Sequence, residues 1–182
     1  MISTNNHTTR EARKKQTGEI FTPDKLVNQM LAKLPKTVWH KGKTFCDPAC
    51  GSGNFLVWVL LKKISRGHNP LEALKTVYGA DIMSDNIREC RLRLLKIMEL
   101  CGEDITEEHI STVFKNIVWI NPKKHPTGSL EYNFEFNSSP GKRDIERWMK
   151  WIHKDHKLNE VELPVTEEQF HGKGEVDIFK DE

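Results

Sequence analysis

The chain has 182 residues, enough for one domain with a buried core, and its 28 Lys and Arg stand against 26 Asp and Glu, a formal net charge of +2. So even a balance excludes a global field that would demand a polyanion, leaving nucleic-acid contact to local clusters. No apolar stretch reaches the roughly 18–20 residues needed to cross a bilayer, and the polar start lacks an apolar signal core, so a soluble, cytoplasmic protein with no membrane partner is expected.

Residues 1–16 read as a flexible basic segment carrying Arg10, Arg13, Lys14 and Lys15. From Pro23, Leu26, Val27, Met30, Leu31 and Leu34 recur at helical spacing, with Thr22 as the N-cap and Pro23 in the first turn. Thr44-Phe45-Cys46 reads as a short strand, and a glycine turn then leads into a helix that runs to about Arg66. Pro70 to Lys75 is a short helical turn, and Thr76 to Ala80 is a second strand. Asp85 opens a long amphipathic helix with Ile87, Cys90, Leu94, Leu95, Ile97 and Met98 towards a core, ended by Gly102. A helix from Thr106 to Phe114, a third strand at Ile117 to Ile120 and a fourth at Tyr132 to Phe136 follow. After Gly141 the composition changes. Asp144 to Lys157 reads as a charged helix with Ile145, Trp148, Met149 and Ile152 on one face, and an acidic, weakly patterned tail lies beyond it.

The alternation of strands and helices predicts an α/β fold with a partial, mostly parallel sheet flanked by helices, equivalent to the first half of a doubly wound sheet. Three segments result: 1–16, a domain over 17–140, and the charged helix and tail over 141–182. The four cysteines, Cys46, Cys50, Cys90 and Cys101, form no C-x-x-C pair and no zinc spacing, so buried free thiols and no metal site are expected. His153 and His156 have no accompanying ligand set and read as surface or packing residues.

The segment Asp47-Pro48-Ala49-Cys50-Gly51-Ser52-Gly53-Asn54-Phe55 joins the first strand to its helix. Two glycines spaced G-x-G let the backbone turn sharply and approach a ligand where a Cβ would collide. Free N–H groups and the positive end of the helix then face that ligand, which suits a carboxylate or phosphate. Asp81 follows the second strand at its carboxyl end, where α/β sheets hold ligands and an acid accepts hydrogen bonds from ribose hydroxyls. The alternative is that Asp81 caps the helix starting near Asp85. A nicotinamide fingerprint needs a third glycine where Leu56 stands and an acid about 20 residues on, so a hydride-transfer cofactor is disfavoured.

Taken with Thr17-Gly18-Glu19-Ile20-Phe21-Thr22-Pro23 upstream and Gly79-Ala80-Asp81-Ile82 downstream, this segment resembles the N6-adenine DNA methyltransferases, in particular modification subunits of type I restriction systems. The likeness covers about residues 15–140 and implies a Rossmann-like methyltransferase fold that binds S-adenosyl-L-methionine. It implies that Phe21 and Thr22 pack over the methionine end of that cofactor. Asp47, Ala49, Gly51, Gly53, Asn54 and Phe55 would form the glycine-loop side, Asp81 would hold the ribose, and Ile82 would lie against the adenine. Asn121, after the third strand, falls where the family often has an acid facing the adenine; its other reading is a turn residue before Pro122.

The family closes its fourth strand with Asn/Asp-Pro-Pro-Tyr/Phe, whose first residue accepts from the amino group of a flipped adenine and whose ring stacks on that base. Here the corresponding segment is Asn137-Ser138-Ser139-Pro140. Asn137 keeps the acceptor as the candidate catalytic residue, but the proline pair and the aromatic ring are absent. Two functions from different classes follow. One is an adenine-N6 DNA methyltransferase, completed by a recognition or catalytic partner subunit. The other is a non-catalytic cofactor-binding module of a modification or restriction system. DNA contact, in either case, is expected from the basic N-terminal segment or the Lys142 to Lys157 helix, through Arg143, Arg147 and Lys150.

Overall fold

The computed structural model describes residues 22–120, 123–124, 130–131 and 139–171. Helix α1 (Asp24–Ala32) and a 3-10 turn (Lys36–Trp39) precede strand β1 (Phe45–Asp47). Helix α2 (Asn54–Ser65) and the short α3 (Pro70–Leu74) return the chain to β2 (Val77–Asp81). Helices α4 (Ser84–Leu100) and α5 (Glu107–Asn116) then lead to β3 (Ile117–Trp119).

The three strands form a parallel sheet in the order β1-β2-β3, with Asp47 opposite Gly79 and Asp81 opposite Trp119. A two-stranded antiparallel pair, β4 (Lys123–Lys124) with β5 (Leu130–Glu131), was not anticipated. The strand expected over Tyr132 to Phe136 lies outside the described residues.

Helix α2 is apolar all round because it is enclosed: Leu56 through Leu61 are each 3% exposed or less, between α1, α4 and the sheet. Each such side chain contributes about 1.5–3 kcal/mol on burial, so this helix anchors the turn from which it starts. Helix α4 buries Ile87, Cys90, Leu94, Leu95, Ile97 and Met98 as its periodicity predicts. It stops at Gly102, whose φ of +80° is left-handed and whose N–H donates to the Glu99 carbonyl at 2.9 Å. Arg91 of α4 donates twice to the Ile117 carbonyl, at 3.0 and 2.7 Å, fixing where β3 begins.

Three local expectations are corrected. Pro23, not Thr22, occupies the N-cap of α1, because the Pro23 carbonyl accepts the first helical bonds, from Leu26 and Val27 N–H at 2.9 and 3.0 Å, while the Thr22 carbonyl accepts from the Asn54 amide at 2.7 Å. Leu26 and Met30 are 46% and 47% exposed, since α1 packs chiefly on α2 and needs only the narrow stripe of Val27 and Leu31. Third, the tail beyond the charged helix has structure. Helix α6 (Lys142–His153) is followed by a 3-10 turn (Lys157–Glu160) and α7 (Glu167–Phe170), and Leu158 and Val165 join the main core.

Helix α6 itself docks on α5, where Trp148 meets Phe114 edge to face at 5.2 Å. His153 Nε2–H donates to the Ile105 carbonyl at 2.7 Å, a packing role. No helix among the described residues is long and apolar enough to cross a membrane.

Candidate functional site

Residues 48–53 form the loop between β1 and α2, at the carboxyl end of the sheet. Gly51 and Gly53 have φ of +52° and +84°, the region where a side chain is strained. A Cβ on Gly53 would also lie 2.4 Å from Cys90 Sγ of α4. Gly79 in β2 meets a similar demand: its Cβ would lie 2.5 Å from Leu56 Cδ1 and 3.0 Å from Cys50 Sγ. The absent side chains let loop and helix settle directly on the strand.

Backbone and carboxylate then fasten the loop. Cys50 N–H donates to the Ala80 carbonyl and Gly51 N–H donates to Asp81 Oδ2, both at 2.9 Å. Asp81 Oδ1 accepts from Met83 N–H at 2.8 Å, so one carboxylate orders both the glycine loop and the turn into α4. That corrects the simple picture of Asp81 as a cap for its own helix alone. Asp47, at the end of the neighbouring strand, accepts from Ala49 N–H at 3.1 Å. Burial, with the nearby Asp81 charge adding to it, pushes the Asp47 carboxyl above its ordinary value, against the pull of the Ala49 bond.

A second set of bonds ties in the segment before α1. Arg93 of α4 is 8% exposed and donates to the Ser52 carbonyl and to Asn54 Oδ1, both at 3.1 Å. Asn54 Nδ2 donates in turn to the Thr22 carbonyl, and Trp58 Nε1–H donates to Asp24 Oδ1 at 2.8 Å. Both ends of the Asn54 amide are therefore engaged with protein. Phe55 is half-buried against the main core, and Ala49 is exposed beside Asp47.

On the far side of Asp81, Ile82 is 47% and Trp119 is 53% exposed. Trp119 Nε1–H donates to the Ile82 backbone carbonyl at 2.9 Å, which fixes the indole beside the end of β2. Cys50, hydrogen-bonded with Cys90 and buried, has its thiol pushed well above the ordinary value, so it stays protonated. Phe21, Asn121 and Asn137 lie outside the described residues, so the structure brings together Thr22, the loop from Asp47 to Phe55, Asp81 and Ile82.

Sequence reasoning missed Arg93 and Trp119, and named Gly79 only within the segment Gly79-Ala80-Asp81-Ile82, without its packing role. Gly79 carried a signal, a glycine inside a strand facing a glycine turn. Trp119 carried another, because parallel register sets the end of the third strand beside Asp81. Arg93, one charge among several on α4, carried none.

A parallel strand, a tight glycine turn into a buried helix, and an acid at the end of the next strand define a Rossmann-like methyltransferase fold. The sequence model of the family described as N-6 DNA methylase matches residues 6–164. The chain belongs to that family. The Type II methyltransferase M.VspI of Vibrio sp. (strain 343) is 36% identical over 92 residues, a match covering 50% of this chain and 19% of that relative. No solved structure gives a match.

Proposed function

We propose that the chain binds S-adenosyl-L-methionine at the carboxyl end of its sheet and acts in adenine-N6 methylation of DNA. The observation that carries this reading is the 2.9 Å bond from Gly51 N–H to the Asp81 carboxylate, with Asp47 on one side and the exposed Ile82 and Trp119 on the other.

The residues fit such a group. An added Cβ at Gly51 meets no atom within 4 Å, so space lies open over the loop. The carboxylates suit an ammonium and ribose hydroxyls, the positive start of α2 suits a carboxylate, and an exposed tryptophan suits a planar purine. When bound, S-adenosylmethionine supplies an electrophilic methyl group carried on a sulfonium.

The roles of the chain's own residues follow. Asp47 holds the ammonium, and the backbone of Gly51 to Gly53 faces the carboxylate. Asp81 accepts from the ribose while retaining the loop. Ile82 and Trp119 flank the purine, with Asn121 as a further hydrogen-bonding partner. Thr22, held by Asn54, closes over the methionine end together with Phe21. Asn137 accepts a hydrogen bond from the amino group of the target adenine. The site works by positioning two reactants and needs no covalent nucleophile, consistent with a Cys50 thiol that stays protonated. A partner subunit supplying target recognition completes the scheme.

Calorimetric titration with S-adenosylmethionine tests the reading. Asp81→Asn should weaken binding about 10- to 100-fold, the scale of one carboxylate's charge-assisted hydrogen bonds. A folded wild-type chain that does not bind the cofactor would overturn it. The second reading, a non-catalytic cofactor-binding module, is favoured by Ser138-Ser139-Pro140 standing where the family has Pro-Pro and an aromatic. Cofactor binding without methyl transfer to duplex DNA, with or without candidate partners, would establish that reading instead.

A further inference from the structure

At the amino end of the sheet, opposite the glycine loop, Lys36, Trp39, His40, Lys41, Arg66 and His68 line an open cleft of about 470 Å³. The 3-10 turn, the approach to β1 and the end of α2 contribute them. Three permanent cations and two imidazoles converge, with no acidic residue among the six. Lys36 and Lys41 are exposed and make no hydrogen bond or ion pair among the described residues. Behind the cleft, the buried Lys63 ammonium donates to the Lys43 carbonyl and to Thr76 Oγ1, both neutral groups. Burial lowers the His68 pKa, and the charges of Lys63, Lys41 and Arg66 lower it further, so the local field is positive.

The floor is rigid. The Trp39 ring stacks on Phe45 at 4.9 Å, and the Arg66 guanidinium lies over that ring at 4.8 Å. His68 Nε2–H donates to the Trp39 carbonyl at 2.7 Å. Trp39 is only 5% exposed, so it offers no face to a nucleobase and leaves charge as the means of recognition. Helix α6, where a run of charge first suggested DNA contact, is more nearly compensated: Arg147 pairs with Asp144 at 2.8 Å and Lys142 with Glu146 at 3.8 Å.

We propose that this cleft binds the phosphodiester backbone of duplex DNA, as a second contact remote from the cofactor site. The 12 residues of α2 span about 18 Å, which separates the cleft from the glycine loop. Contact here tethers the duplex without reading its sequence. The choice of DNA among polyanions rests on the proposed methylation reading; the anion site rests on the charges alone.

Fluorescence anisotropy of a short labelled duplex across a salt series, with wild type and Lys36→Gln/Lys41→Gln, tests it. Removing two phosphate contacts should reduce the slope of log affinity against log salt by about 2 and weaken binding roughly 10-fold near ~0.1 M salt. The double variant should keep the wild-type melting temperature and S-adenosylmethionine affinity. An unchanged slope and affinity, or a wild type that takes inorganic phosphate but no duplex, overturns the proposal. So does polyglutamate that displaces the labelled duplex more effectively than unlabelled duplex of equal charge, since that identifies an acidic protein partner. Failure of the cofactor titration would sink the methylation reading while leaving the salt slope to decide this one.

Discussion

The two ends of the sheet are built from different elements, a glycine loop at one and a 3-10 turn with the end of α2 at the other, and carry opposite charge. At the carboxyl end, Asp47 and Asp81 accept from the glycine-loop amides, beside the exposed Ile82 and Trp119. At the amino end, Lys36, Lys41 and Arg66 surround a tryptophan floor. Helix α2 joins them: its first turn holds no acidic residue, leaving its amides available, and its last turn carries Lys62 and Lys63. A net charge of +2 therefore conceals two local fields of opposite sign. Composition excludes a global attraction, while the fold sorts the charges into an acidic pole and a basic pole.

The sharpest way to break this contrast is to deform one pole and spare the other. Gly53→Ala should cost roughly 2–4 kcal/mol in chemical denaturation, because it adds a Cβ in a left-handed conformation against Cys90. Cofactor binding should go with it. Adding Cys90→Ala should recover part of the loss, since it removes the sulfur clash but not the backbone strain.

A smaller effect separates the poles by pH. Because the Asp47 pKa is raised, the carboxyl begins to neutralise at a higher pH than an ordinary aspartate. Falling pH then removes its attraction for the donor's ammonium, and S-adenosylmethionine affinity should drop about 10-fold through that titration. The same titration series on Asp47→Asn should be flat in that window. An equal drop in the variant would assign the pH dependence elsewhere.

The smallest effect lies at the basic pole. Burial lowers the Lys63 pKa, so between its folded value and the ordinary lysine value the unfolded chain binds more protons. Stability should rise as pH climbs through that window. Lys63→Met should flatten that rise in urea melts and change stability at neutral pH by only about 1 kcal/mol.

Much of the scaffold was legible because its signals are local. Gly51, Gly53 and Gly102 mark turns wherever they occur, and the stripe from Ile87 to Met98 reports its own helix. The glycine loop and Asp81 could be placed at strand ends for the same reason. What was hidden depends on residues distant in sequence. No spacing announces that Arg93 reaches Ser52 and Asn54, or that Lys36 and Arg66 share a cleft. Periodicity gave α1 its helix but not the width of its buried stripe, which only the geometry of α2 decides. The segment containing Asn137 alternates from Tyr132 to Phe136 but carries no strong motif to pin Asn137, and it lies outside the described residues.

The bonds Asn54–Thr22 and Trp58–Asp24 have a consequence for how the protein opens. Helix α1 adds only Val27 and Leu31 to the core, so it belongs to a less protected unit than α2 beneath it. Releasing that unit frees the Asn54 amide, and Asn54 is bonded through Arg93 to the loop at Ser52. Local unfolding of α1 and loosening of the glycine loop are thereby coupled events. A ligand gripping the loop slows amide exchange in a helix it need not touch.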